Sequence, residues 1–429
     1  MKRSLVWFKT DLRLHDNETL LQAIAQSNEI IPVYCLDESL TQTTPFGFKK
    51  MGHFRAQFLL QALQNLDQNL RKLGSGLIVV QGKPQEELPK LVKQFGVHKV
   101  MAKKEVAYEE LQVQDAVEQQ LWKVSCQLET FSTSTLYQAY DLPFLLKDIP
   151  DVFTNFRKKV EKETAVRNVF DAPTTIKSPK IDEVKWPTLT QLGFDEVVTD
   201  KRAAINFVGG ETAALQRLQH FLFDTKAVST YKETRNQLIG ENYSSKFSAW
   251  LSLGCISARQ IYHQLKKYEA QHSANESTYW LVFELIWRDY FRFMMKKYRH
   301  QFFLQHGIKK ASGKRKTHQP ALFKKWVNGQ TGVDFIDANM IELKLTGFMS
   351  NRGRQNVASF LCNDLKLDWR YGAAYFEQQL IDYDVCSNWG NWAYLAGVGN
   401  DPRGQRAFNI EKQAADYDKN FAYRNLWLK

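Results

Sequence analysis

The chain lacks a disulfide framework. Its five cysteines, Cys35, Cys126, Cys255, Cys362 and Cys386, are odd in number, scattered and without a CxxC pair, which points to reduced thiols rather than to the stapled scaffold of a small secreted domain. Metal ligands are equally scarce in pattern: nine histidines form neither HExxH nor a Cys/His ladder, so no metal site is expected. No apolar run approaches the roughly 18 to 20 residues of a membrane span, and MKRSLVWFKTDLRLHDN puts charges inside any would-be signal core. A soluble, intracellular protein with no membrane partner is expected, cytoplasmic if its source is bacterial. Neither GxGxxG nor GxxxxGK[ST] follows the first apolar run, leaving the usual dinucleotide and triphosphate loops unsupported. Internal repeats and low-complexity segments are also missing.

What the sequence has in surplus is positive charge and aromatic rings. The net charge is +12, which favours a polyanionic partner because Lys and Arg gain by releasing counterions from phosphates. Aromatic residues reach 13%, with 28 Phe, 17 Tyr and 11 Trp, above what core filling alone requires. At 429 residues the chain is long enough for two or three cores, and a monomer is expected.

Residues 1–130 alternate short apolar runs with amphipathic stretches. Ser4 to Phe8, Ile30 to Leu36, Leu77 to Val80, Val97 to Ala102 and Val124 to Leu128 read as buried strands, and Phe54, Phe58, Ala62, Leu66, Leu70 and Leu73 as one face of a helix. This is the pattern of an α/β domain built on a doubly wound parallel sheet, with ligand loops at the carboxyl ends of its strands. In residues 131–208 periodicity fades into Pro-, Lys- and Thr-rich text, a connector between domains. Residues 209–429 are helical in pattern almost throughout.

Four stretches carry chemistry. The loop Trp7-Phe8-Lys9-Thr10-Asp11-Leu12-Arg13-Leu14-His15-Asp16-Asn17 follows the first strand and reads equally as a ligand loop or a structural cap. Tyr231-Lys232-Glu233-Thr234-Arg235 leads to Tyr243-Ser244-Ser245-Lys246-Phe247-Ser248, hydroxyls and a lysine at a helix start, which suit either an anion or an ordinary Ser N-cap. In ELIWRDYFR, Glu284, Trp287 and Arg288 share one helical face, an acid, a flat ring and a cation, or a salt bridge over an interfacial Trp. Residues 345–405 read LTGFMSNRGRQNVASFLCNDLKLDWRYGAAYFEQQLIDYDVCSNWGNWAYLAGVGNDPRGQ, the wall of a cofactor site or an aromatic core with incidental polar residues.

In their order these stretches resemble the photolyase and cryptochrome family. GFMSNRGRQ and DYDVCSNWGNWAYLAGVGNDPR, with DLPF and DIPDVF of the connector, are similar to its DASH-type branch, and WFKTDLRLHDN resembles WFRxDLRxxDN with Lys9 in place of Arg. The resemblance is dense over residues 231–405 and modest before residue 130. It implies FAD in the helical domain, with Tyr231, Ser244, Ser245, Lys246 and Ser248 on its phosphates, Asp382 and Asp384 at the flavin ring edge and ribose, Arg354 paired with Asp382, and Asn388 facing flavin N5. It implies a 5,10-methenyltetrahydrofolate antenna in the first domain, held by Glu105 with Cys35 and Asp37 as neighbours.

The implied activity is that of a deoxyribodipyrimidine photo-lyase, in which blue light moves an electron from reduced FAD to a cyclobutane pyrimidine dimer flipped out of its strand. Glu284 would bond a carbonyl of the lesion, Trp287 would stack on it, and Arg235, Arg288, Arg352 and Tyr394 would bind DNA. Tyr394 stands where other members have Trp, a smaller platform that offers less compensation for unpairing a duplex, so single-stranded DNA is the expected substrate. Trp392 and Trp369 match the proximal and middle rings of an electron relay; the distal position, ten residues before Trp326, is Lys316, which cannot be oxidised. Trp326 and Trp389 read as packing, and the basic run Lys309, Lys310, Lys314, Arg315, Lys316, Lys324 and Lys325 as a solvated loop rather than a DNA footprint. The alternative to repair is a non-enzymatic blue-light photoreceptor that binds nucleic acid or a protein partner.

Overall fold

The computed structural model describes residues 2–310, 318–404 and 406–429. Five strands, β1 (Arg3–Phe8), β2 (Glu29–Leu36), β3 (Ile78–Gln81), β4 (Lys99–Lys103) and β5 (Gln127–Phe131), form one parallel sheet in the order β3-β2-β1-β4-β5. Alternation decides its two faces. Leu5, Trp7, Ile31, Val33, Val100 and Ala102 pack with Leu88, Val92, Val117 and Leu121 of the helices Pro84–Phe95 and Tyr108–Trp122. Val6, Phe8, Ile30, Tyr34 and Met101 join Leu20 and Ala23 of the helix Glu18–Gln26 in the core shared with the helix His53–Lys72 and the helical half. Because both faces are covered, the strands are continuous apolar runs. β4 and β5 begin later than the apolar text suggests. Gly96 and Ser125 adopt left-handed backbone at φ 62° and φ 54°, closing the preceding helices, so Val97 and Val124 belong to turns.

The loop after β1 is structural. Arg13, buried, donates to the carbonyls of Gly254 (2.9 Å), Asp16 (2.8 Å) and Thr133 (3.1 Å). The Asp16 carboxylate meets Arg259 at 2.7 Å and accepts from Ser257 Oγ at 2.6 Å, and Glu211 accepts from the N–H groups of Leu14 and His15. The loop therefore bolts the sheet to the helical half through buried ion pairs and hydrogen bonds, the company that burial of polar groups requires.

Between β5 and Gly210 the one α-helix is Phe153–Glu163. Asp289 accepts from the backbone N–H groups of Leu136 and Tyr137 at 3.0 and 2.8 Å, and Ile176 N–H bonds Leu73 O at 2.8 Å, so the irregular chain is tied down along its length. The helical half is organised by Glu276–Tyr298, whose N-terminus carries a capping box of Asn275 and Thr278. Among the described residues no helix is long and apolar enough to cross a membrane, no cluster of His, Cys, Asp or Glu is arranged for a metal ion, and all five cysteines are buried.

Candidate active site

A cavity of about 930 Å³ opens in the helical half, and its walls include Ser244, Ser245, Lys246, Ser248, Asp382 and Asp384. A narrower recess of about 110 Å³ continues from it past Asp382, Asn388 and Trp392. Arg217 shapes the first rim. Its guanidinium is buried and donates to the carbonyls of Glu241, Ser244 and Ser245 at 3.1, 3.2 and 3.1 Å, holding the serine segment in a tight loop. The helix that follows, Ser248–Ser252, is a single short turn, so the polarity here comes from the hydroxyls and Lys246 more than from a helix dipole. Lys246 adopts φ 56° and lays its ammonium 3.4 Å from the Tyr243 ring centroid. Burial lowers its pKa to about 7.

At the recess, Arg354 Nη2 pairs with Asp382 Oδ2 at 2.9 Å. Asp382 is 6% exposed, and its Oδ1 has no partner, an acceptor that a bound group can satisfy. Asp384 caps the helix Val385–Leu395 by accepting from Ser387 N–H at 2.8 Å. Burial raises its pKa, but Arg288, Arg292 and that N–H together bring it below the ordinary carboxylate value. Asn388 donates its Nδ2 to Ala373 O at 3.0 Å, which leaves its carbonyl oxygen as the free end of the amide.

On the other side of the same cavity stands Glu284. Arg235 Nη1 lies 3.0 Å from one of its oxygens, and the Tyr231 hydroxyl donates to the other. Burial still holds the Glu284 pKa above its usual value against both bonds. Trp287, three residues on, meets Tyr394 edge to face at 5.8 Å, and Arg406 donates to the Tyr394 hydroxyl at 2.6 Å while paired with the buried Asp401. Arg352 lines the mouth, bonded to Asn236 at 3.0 Å with its Nε unpartnered. Arg288 touches the cavity too, but its guanidinium bonds the carbonyls of Ser134 and Leu251, a tie between connector and helical half rather than a free cation.

Comparison with known proteins decides the family. The DNA photolyase domain matches residues 4–179, and the FAD binding domain of DNA photolyase matches residues 280–429. Cryptochrome DASH of Danio rerio is 51% identical over 98% of this chain and 82% of its own length. The crystal structure of a Synechocystis cryptochrome superposes with a TM-score of 0.96 at 46% identity, covering 100% of this chain and 89% of that one. A class III photolyase from Agrobacterium tumefaciens gives 0.83 at 26% identity, with 100% and 86% covered. The chain belongs to the DASH-type cryptochromes of the photolyase and cryptochrome family.

This DASH-type member is a flavoprotein whose cofactor is FAD. The residues present fit it: one orphaned carboxylate oxygen on Asp382, a buried lysine whose ammonium makes a 3.5 Å hydrogen bond to Ser244 Oγ and lies over the Tyr243 ring, with no carboxylate paired to it among the described residues, and a cavity that joins the two. The two rings expected to form a relay, Trp392 and Trp369, are buried. Trp392 touches Phe376 at 5.1 Å and Trp326 at 6.2 Å, and Trp369 meets Trp389 at 5.7 Å. Trp326 is 0% exposed and stacks on Phe376 and Phe323. Lys314, Arg315 and Lys316 lie outside the described residues, while Lys309, Lys310, Lys324 and Lys325 are exposed to solvent.

Glu105 has a different environment from the one a single antenna ligand suggests. It is 9% exposed and faces three cations, Lys9 at 3.4 Å, Lys103 at 3.5 Å and Arg292 at 3.5 Å. Burial works against its charge, but Lys103, Lys9 and Arg292 hold its pKa down at about 2. Cys35 donates its Sγ–H to Gly82 O, its thiol pushed up to about 12 by burial, and Asp37 caps the short turn Glu38–Thr41. Sequence reasoning did not pick out Arg217, Tyr243 or Arg406. Arg406 carried a readable signal in its place within GNDPRGQR, and Tyr243 one in its place three residues before Lys246; Arg217 acts through partners far along the chain.

Proposed function

We propose that this protein repairs cyclobutane pyrimidine dimers under blue light and prefers single-stranded DNA. The observation that carries the reading is continuity: Glu284 and Trp287 open onto the same cavity as Arg354, Asp382 and Asp384, so a flipped lesion and the flavin site share one enclosed space without a protein layer between them. FAD, when bound and reduced, supplies a light-excited one-electron donor. The rest is the work of side chains. Ser244, Ser245, Lys246 and Ser248 would hold the diphosphate, the orphaned Asp382 oxygen would accept a hydrogen bond from the flavin, and the Asn388 carbonyl, left over by the bond from its Nδ2 to Ala373 O, would accept another without supplying a proton.

Trp287 stacks on one base of the dimer and Tyr394 lines the adjoining wall, its ring fixed by Arg406. Glu284 holds the lesion by hydrogen bonding, its own position set by Arg235 and Tyr231. Exposed Arg403 and half-buried Arg352 at the rim offer charge to the flanking phosphates. A tyrosine platform contributes less stacking than an indole, which favours DNA whose bases are already unpaired. Glu105 with Lys9, Lys103 and Arg292 is the proposed place for a folate antenna.

The test is blue-light repair of one defined dimer in a single-stranded oligonucleotide beside the same lesion in a duplex, with the flavin chemically reduced. Faster repair in the single strand supports the reading. No cleavage in either, with FAD bound, transfers the protein to the photoreceptor alternative.

A further inference from the structure

One face of Trp287 is already covered. Phe153 lies parallel to it with ring centroids 3.6 Å apart and an interplanar angle of 12°. Tyr290 and Tyr394 meet the indole edge to face at 5.7 and 5.8 Å, and Phe291 is tilted at 5.4 Å. Phe153 and Trp287 both line the large cavity, so a base that stacks on Trp287 completes a sandwich whose other outer layer is Phe153.

Phe153 is itself held rigidly. It is 6% exposed and packs edge-on against Phe283 at 5.3 Å and Tyr290 at 5.5 Å. Two residues before it, Asp151 O accepts from the Tyr290 hydroxyl at 2.6 Å, and the Asp151 carboxylate accepts from Lys297 at 2.8 Å and the Tyr298 hydroxyl at 2.6 Å. Three residues after it, Phe156 is buried between Tyr290 and Phe293. The ring is therefore a wall and not a gate. It begins the one α-helix of the connector, a segment outside the serine loop, the Glu284 helix and the aspartate loop that make the rest of the site.

We infer that Phe153 is a positioning residue for the lesion: it fixes the plane of Trp287, so that the remaining indole face is presented to the dimer without a rotamer having to be frozen on binding. This inference rests on the dimer-repair reading given above. An indole free on both faces loses side-chain freedom when a base arrives, and that loss is subtracted from affinity. A ring already held by a parallel stack has lost it during folding, and aromatic pairs contribute beyond the area they bury.

Two variants separate a stacking role from volume filling. Phe153→Leu keeps an apolar side chain of similar bulk without a ring, and Phe153→Tyr keeps the ring. The holoprotein is compared for Kd with a dimer-containing single strand against the same undamaged strand, with FAD content and Tm as controls. In parallel, 5-fluorotryptophan-labelled protein is followed by ¹⁹F NMR, with the Trp287 resonance assigned from Trp287→Phe. Phe153→Tyr is expected to match wild type within about twofold, and Phe153→Leu to lose roughly 3- to 10-fold of the preference for the dimer, with the Trp287 line shifted and broadened in the Leu variant alone. Equal dimer preference in Phe153→Leu and wild type, or an unchanged Trp287 line, overturns the inference. A wild type that shows no dimer preference while the Trp287 line still moves in Phe153→Leu removes the dimer reading and leaves the stack.

Discussion

Arg235 Nη1 stands 3.0 Å from Glu284 Oε1. Together with the Tyr231 hydroxyl on the second oxygen, it turns a solitary acid at the cavity wall into an oriented acceptor. The resemblance to photolyases assigns Tyr231 to FAD phosphates and Arg235 to DNA phosphates; in the structure both converge on Glu284. The Tyr231 hydroxyl also neighbours Ser245, which ties the serine loop to the Glu284 wall.

Replacing Glu284 by Ala is expected to slow dimer cleavage by chemically reduced protein about ten- to a hundredfold, since a buried hydrogen bond to a charged group contributes on the order of 1.5–3 kcal/mol. FAD content should stay at the wild-type level. Tyr231→Phe, which removes one of the two groups orienting the carboxylate, should give a smaller loss of the same kind. Repair yields beside flavin absorbance measure both, and full repair by Glu284→Ala would remove it from the site.

The pH dependence of FAD binding should report Lys246. In the free protein burial lowers its pKa to about 7, with Glu342 and Glu241 opposing the shift and Arg217 and Arg354 adding to it. Above that pH the lysine is neutral, whereas a diphosphate favours its ammonium form, so binding takes up a proton. Affinity for FAD should fall as pH rises from about 7, by at most about tenfold per pH unit, and Lys246→Met should flatten the profile. Fluorescence titration of the flavin at pH 6, 7, 8 and 9 decides it; a wild-type profile as flat as that of the Met variant would take Lys246 off the phosphates.

Electron supply and repair should separate at Trp392. Trp392→Phe is expected to abolish light-driven reduction of oxidised FAD by a thiol donor, yet to leave dimer cleavage within about twofold once the flavin is chemically reduced, because repair returns its electron without using the relay. Photoreduction followed at the flavin absorption band, beside single-turnover repair, tests the pair. Unchanged photoreduction in this variant would move the entry route to other rings near the recess.

Glu105→Gln should do two things at once. If Glu105 holds the antenna, the near-ultraviolet antenna band is lost while FAD remains. Independently, Lys9, Lys103 and Arg292 lose their shared counter-charge in a buried setting, a loss worth roughly 3–5 kcal/mol when one partner of a buried pair is removed. A lowered Tm with the antenna intact would make Glu105 a structural clamp between β4 and the helix Glu276–Tyr298.

How much of this was legible in the sequence depended on distance along the chain. The five strands, the helix His53–Lys72 and the helical second half follow from apolar periodicity, because covered sheet faces and one-sided helices write their burial into the local pattern. The spacing of Glu284, Trp287 and Arg288 places them on one helical face, but only the fold sends Arg288 to the backbone of Ser134 and Leu251 and leaves Glu284 and Trp287 in the cavity. The loop from Trp7 to Asn17 could be read as a ligand loop or a cap, and its buried pairing with Glu211 and Arg259 makes it a cap.

The sequence by itself determined which residue types were present and which face each would share with its near neighbours: the serines beside Lys246, the two aspartates before Asn388, the tryptophans of the helical half. Tertiary structure alone decided who meets whom across the chain, as with Phe153 on Trp287, Arg235 and Tyr231 on Glu284, and Arg292 on Glu105. The physical reason is that periodicity encodes only that a side chain is buried. The identity of its partner is set by how helices and sheet pack, and a charge or a ring carries no local mark of the distant group that will satisfy it.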